Sequence, residues 1–287
     1  MLESQWKIFS AFKKELKEKC LEWNKFAEQL VPLQKKEALT DTPDYPFENA
    51  VVYNTALDEL TPDSEIKLIV IGDNPGKSEQ LNINQKYLVG QAGKLAEGFF
   101  RNNPDLKIDF RKNVIILNKT PVHSAKTKHL AKIEKALKQT NSPASDLIRD
   151  SQIWMAQKTS RLHIDLFNAA FATYTGQPDI PFLPELWLVG YSELKPRGLF
   201  IPYRDTLARI YTDQSKSDSA TYAGQSKSTG FSTDPWSHVF VYQHFSMNCF
   251  TKDLSDFQNS NKDLSLKSSL EKLGTIHKDE IFTHLDF

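Results

Sequence analysis

Residues 66–76 read IKLIVIGDNPG, an apolar run broken only by Lys67 and closed by a turn carrying Asp73, Asn74, Pro75 and Gly76. A short run of this kind suits a strand covered on both faces, as in a parallel sheet. Gly72 and Gly76 give the turn backbone freedom, and Pro75 fixes one of its angles. The result is a carboxylate, a carboxamide and free backbone amides at the carboxyl end of a strand, where open α/β sheets bind their ligands. The turn fits neither the GxGxxG dinucleotide pattern nor a P-loop.

Three more runs repeat the arrangement: VIIL at 114–117, LWLV at 186–189 and VFVY at 239–242. Each ends in polar residues: Asn118–Lys119–Thr120, Gly190–Tyr191–Ser192 and Gln243–His244–Phe245–Ser246. Helical periodicity separates them at about 92–101, 126–138, 144–174 and 203–211. Strands alternating with helices predict a three-layer α/β/α fold around a central four-stranded parallel sheet. Such a sheet gathers all four polar ends on one rim.

Outward from this core, Trp6, Phe9, Phe12, Leu16, Cys20, Phe26 and Leu30 recur near the helical period. Residues 1–45 are therefore expected to be a helical extension packed on the α/β domain of 46–250, and 251–287 a C-terminal helical tail. The Ser-, Thr- and Gly-rich stretch 212–234 reads as a mobile surface loop. No apolar run approaches the roughly 20 residues that span a bilayer, and the N-terminus lacks the apolar stretch of a signal peptide. These features predict a cytoplasmic monomer with no membrane partner. With 36 basic and 36 acidic residues the formal net charge is zero, so a polyanion site would have to be a local patch. Cys20 and Cys249 are the only cysteines, too few for a disulfide framework or an all-cysteine metal site.

The segments GDNPGKSE (72–79) and YLVGQAGKLAEGFF (87–100) together resemble the first motif region of the uracil-DNA glycosylase superfamily. The layout is closest to its family 4, which reads roughly GExPGxxE followed by PFVGxAGxxL. Gly72, Pro75, Gly76, Glu79, Val89, Gly90, Ala92, Gly93 and Leu95 match. NVIILNKTPVHSAKTKHL (113–130) is similar to the superfamily strand that ends in the uracil-reading asparagine, and HFSMN (244–248) to its HPS-type motif. The three motifs stand in family order, and the resemblance covers roughly residues 50–250.

The resemblance implies a monofunctional DNA glycosylase that hydrolyses the N-glycosidic bond of uracil or a related deaminated base in DNA, with no metal and no cofactor. The alternative is a non-catalytic superfamily member that binds damaged or single-stranded DNA or nucleotides. Asn118 would read the base edge, since a carboxamide donates to uracil O4 and accepts from N3–H where cytosine presents the opposite pattern. Asp73 and Asn74 would divide the handling of water, and His244 would donate to the base oxygen as negative charge develops there. Gly76, with Tyr87 or Leu88, would wall the base. Ser246 and Ser78 would hold DNA phosphates, as would a basic face of Lys119, His123, Lys126, Lys128, His129 and Lys132. Met247, Asn248 or Phe250 would wedge into the gap left by the flipped nucleotide.

The sequence departs from the pattern in four places. Leu88 stands where family 4 stacks an aromatic ring, and Phe245 replaces the proline of HPS. Gly76 takes the position of a tyrosine that excludes thymine's methyl group in another branch. The four cysteines of the family 4 iron–sulfur cluster are missing, so no cluster is expected.

Overall fold

The computed structural model describes residues 1–172, 183–218 and 234–283. Four strands form one all-parallel sheet: β1 (Leu68–Gly72), β2 (Val114–Asn118), β3 (Glu185–Val189) and β4 (Val239–Tyr242), in the spatial order β2-β1-β3-β4. Register pairs Gly72 with Asn118, Ile71 with Leu188 and Val189 with Tyr242, so the strands end level with one another. The chain reverses direction across the sheet between β1 and β3, which opens a crevice outside the carboxyl ends.

Strand alternation sorts the side chains into two cores. Ile69, Ile71, Ile115, Leu117, Leu186, Leu188, Val239 and Val241 face one side. There they meet α1 (Glu3–Asn24), α2 (Ala27–Ala38), α4 (Lys128–Gln139), α5 (Leu147–Phe171) and α6 (Ile201–Asp218). Leu68, Val70, Val114, Ile116, Trp187, Val189, Phe240 and Tyr242 face the other. They are covered by α3 (Gln91–Asn102), α7 (Cys249–Ser260) and α8 (Leu266–Phe282). The fold is thus a three-layer α/β/α sandwich. Covering both faces explains why every residue of β1, β2 and β4 is buried and why these strands are unbroken apolar runs.

The second face is dominated by aromatic rings. Phe100 stacks on Phe110 at 5.5 Å, Phe99 meets Phe250 edge-on at 4.9 Å, and Trp187 lies 4.7 Å from Tyr242. Truncating one such ring typically costs about 3–5 kcal/mol. Helix α8 belongs to this layer, since Leu270 and Leu273 are buried and Tyr242 donates its hydroxyl hydrogen to the Leu270 carbonyl at 3.0 Å. On the first face Phe9, Phe12, Leu16, Cys20 and Trp23 of α1 join the core beneath the sheet. Buried Gln34 of α2 donates to the carbonyls of Ala50 (3.0 Å) and His123 (2.7 Å), bracing the loop after β2.

One boundary differs from expectation. Residues 212–218 continue α6 rather than beginning a loop, because Ser, Thr and Asp lower helix propensity only modestly and extending an existing helix needs no new nucleus. Of the rest of that expected loop, 219–233 lie outside the described residues and Asp234 caps the short turn of 235–238.

Candidate active site

The carboxyl ends of the strands border a cleft of about 530 Å³. Asp73, Asn74, Gly76, Ser78, Leu88, Asn118, Lys126, His244 and Ser246, which three separate motifs supplied, all line it. Lining it as well are Glu79, Ser124 and Cys249, to which no function had been assigned.

Asn118, the last residue of β2, is 2 % exposed, and its Nδ2 is buried without a hydrogen-bond partner among the described residues. A buried amide donor left unpaired costs about 1–3 kcal/mol, so such a group is normally satisfied or functional.

Asn74 is oriented from one side. Its Nδ2 donates to the Pro75 carbonyl (3.0 Å), the Ser124 hydroxyl (3.0 Å) and, at 3.4 Å, the Ser124 carbonyl. Carbonyls accept only, so the amide nitrogen must face them and Oδ1 must face the other way. Buried His123 fixes the same turn. Its Nδ1 donates to the Pro75 carbonyl at 2.8 Å, while Nε2 accepts from the Tyr45 hydroxyl at 2.9 Å. Burial pushes the His123 pKa down to about 4, which keeps this neutral arrangement intact.

His244 is set by Ser246. The Ser246 backbone N–H points to Nδ1 at 3.1 Å and its Oγ lies 2.8 Å from the same atom. A backbone N–H can only donate, so Nδ1 is the acceptor and the neutral ring carries its proton on Nε2. Burial lowers the His244 pKa, opposed by the negative charge of Asp73. The histidine is therefore neutral and has one N–H left to offer.

Glu79 clamps the two halves of the first motif together. Its Oε2 accepts from Gly76 N (2.7 Å) and its Oε1 from Leu88 N (2.6 Å). Burial pushes its pKa up to about 7, against the lowering effect of the Gly76, Leu88 and Val89 amides. Gly93 permits the second half to close. A Cβ there would lie 1.4 Å from the Leu88 carbonyl oxygen, so the backbone at Leu88 (φ 52°) seats directly on α3.

Lys119 corrects an expectation. It is wholly buried and not on a DNA-facing surface: its ammonium donates to Asp73 Oδ1 (2.6 Å) and the Val189 carbonyl (2.5 Å), and lies 4.9 Å over the Phe200 ring. Alternation across the strand end explains this, for Asn118 turns to the cleft and Lys119 to the opposite face. Gly190 makes room on the other side of the pair. It adopts φ +97°, and a Cβ on it would stand 2.3 Å from Asp73 Oδ1.

Tyr87 is likewise no wall of the cleft. It is 1 % exposed and donates its hydroxyl hydrogen to the Val52 carbonyl at 2.6 Å, which leaves Leu88 as the one of the two that lines the cleft. Phe250 is buried among Phe99, Phe245 and Tyr242 and is removed from the wedge candidates. Met247 (89 % exposed) and Asn248 remain, both in left-handed backbone conformation at the head of α7.

The basic face is largely neutralised. Lys126 (2.9 Å) and Lys128 (3.0 Å) share Asp41, Lys132 pairs with Glu37 at 3.1 Å, and His129 is buried beside Asp41. The two lysines hold Asp41 well below the usual carboxylate range.

Among the described residues, no group of three His, Cys, Asp or Glu side chains gathers to hold a metal, and no helix is long and apolar enough to cross a membrane. No protein-family model, curated protein or solved structure matches the chain.

Proposed function

We propose that this protein is a DNA glycosylase of the uracil-DNA glycosylase superfamily, hydrolysing the N-glycosidic bond of uracil or a related deaminated base. The observation that carries the reading is the unpaired, buried Nδ2 of Asn118 in the cleft wall, since an extruded uracil offers O4 to it and N3–H to its Oδ1.

The remaining groups have matching tasks. As the bond between C1′ and N1 lengthens, negative charge moves onto the base and positive charge onto the sugar. The Nε2–H of His244 donates to the base oxygen where that charge collects. The outward Oδ1 of Asn74 accepts a hydrogen bond from the water that then adds to C1′. An asparagine takes no proton; in a largely dissociative departure the water adds to the sugar cation and the proton it then sheds goes to the departed base anion, so a placed water serves without a strong base. Asp73, already held by Lys119, contributes fixed negative charge near the sugar.

A second reading, a non-catalytic member that binds damaged DNA or nucleotides, draws on the burial of Tyr87 and the neutralised basic face. One experiment separates them. The protein is incubated in excess with uracil-containing single- and double-stranded oligonucleotides, followed by alkaline cleavage at abasic sites. Abasic product is expected. Retained binding with no product supports the second reading, and neither binding nor product refutes both.

A further inference from the structure

The geometry points to Lys119 as a positioning residue: its buried ammonium holds Oδ1 of Asp73 so that the carboxylate is fixed in place with Oδ2 turned to the cleft. The inference rests on the glycosylase reading and adds to it the group that governs the acid.

The ammonium sits in a closed slot. It donates to Asp73 Oδ1 at 2.6 Å and to the Val189 carbonyl at 2.5 Å, approaches the Gly72 carbonyl at 3.4 Å, and is roofed by Phe200. It thereby joins the ends of three strands. Asp73 lines the cleft at 8 % exposure, and no hydrogen bond reaches its Oδ2 among the described residues. One oxygen is thus committed below and the other is left facing the ligand. Held in this way the carboxylate cannot turn aside without leaving the buried ammonium uncompensated. It remains well suited to stabilise positive charge on a sugar. The division of labour follows: Asn74 orients the water, and Asp73 faces the sugar because Lys119 holds it.

Gly190 belongs to the same device. Its positive φ and missing Cβ let β3 end against the carboxylate, so Asp73 has no room to swing off the ammonium.

The test compares wild type, K119M, D73N and D73N/K119M in single-turnover uracil release at one pH, with circular dichroism to confirm folding. K119M should lose at least tenfold in the rate of the chemical step at unchanged KM, because the carboxylate is no longer held beneath the sugar. D73N and the double variant should match within about threefold, since without the carboxylate the lysine has nothing to hold. A K119M rate within about threefold of wild type, or a loss confined to KM, overturns the inference. A double variant tenfold or more below D73N also overturns it, and this comparison decides the matter if K119M does not fold. Should wild type release no uracil, the glycosylase reading falls. The urea unfolding midpoints of the same four proteins then decide the pairing: a double variant that loses clearly less than the sum of the two single losses, or, if K119M does not fold, one no less stable than D73N, supports it, and additive losses or a double variant well below D73N overturn it.

Discussion

In Asn118→Ala the carboxamide at the end of β2 disappears while the backbone pairing with Gly72 is kept. Two opposing effects set the change in stability. Removing a buried amide donor with no partner relieves about 1–3 kcal/mol of desolvation. Removing three heavy atoms forfeits on the order of ten van der Waals contacts at about 0.1 kcal/mol apiece, or about 1 kcal/mol. Because the side chain lines an open cleft, no sealed cavity adds to the loss. The variant should therefore be as stable as wild type or up to about 2 kcal/mol more so. Urea unfolding followed by tryptophan fluorescence reads this as a raised midpoint at unchanged slope. The same variant should lose uracil release by about 10²–10³-fold, the usual effect of deleting one donor aimed at developing charge. A substituted protein more than about 1 kcal/mol less stable would refute the reasoning. It would mean that the carboxamide has an internal role and that the cleft has no vacant reader.

Ser124→Ala removes one of the acceptors that turn the Asn74 amide. It should slow the chemical step by roughly 3–10-fold at unchanged KM in single-turnover assays, as expected when a water-orienting group loosens; a changed KM at constant rate would contradict this. His163, buried between Tyr211 and the Pro184 carbonyl, has its pKa lowered by burial to about 3. Its folded-state pKa lies below the unfolded value of 6.5, so the unfolded chain takes up a proton that the folded one refuses. The resulting stability is complete above pH 6.5 and is lost as pH falls toward 3. The stability advantage of wild type over His163→Gln should accordingly shrink by about 2–3 kcal/mol between pH 7.5 and 4.5 in urea titrations. A constant difference would show that the imidazole titrates normally.

The four strands were legible because each is short, wholly apolar and closed by polar residues, a pattern that double covering imposes. The cleft was legible in part for the same reason, since parallel strands bring their carboxyl ends together whatever the loops do. Lys119 was misread although alternation from Leu117 and Asn118 already turned it toward the first core. A lysine beside a DNA-like motif suggested phosphate, and the carboxylate it meets lies 46 positions earlier. The pairing of Lys126 and Lys128 with Asp41 was hidden by a still longer separation in sequence. Glu79 was visible as a motif match, but its role needed the fold of both turns. Only there do the amides of Gly76 and Leu88 converge on one carboxyl group.

Carried just past the end of β2, the Lys119 ammonium reaches Gly72 of β1 and Val189 of β3, the latter 70 positions further along the chain. A contact of that kind can close only after all three segments have docked, so the bed of the cleft and the completed sheet arrive together. Amide exchange at residues 72–74 and 118–120 should accordingly require opening of the whole domain, whereas the rim around Met247 is free to breathe. An incoming nucleotide would thus find a rigid seat with a yielding margin, and accommodation to different lesions would be confined to that margin.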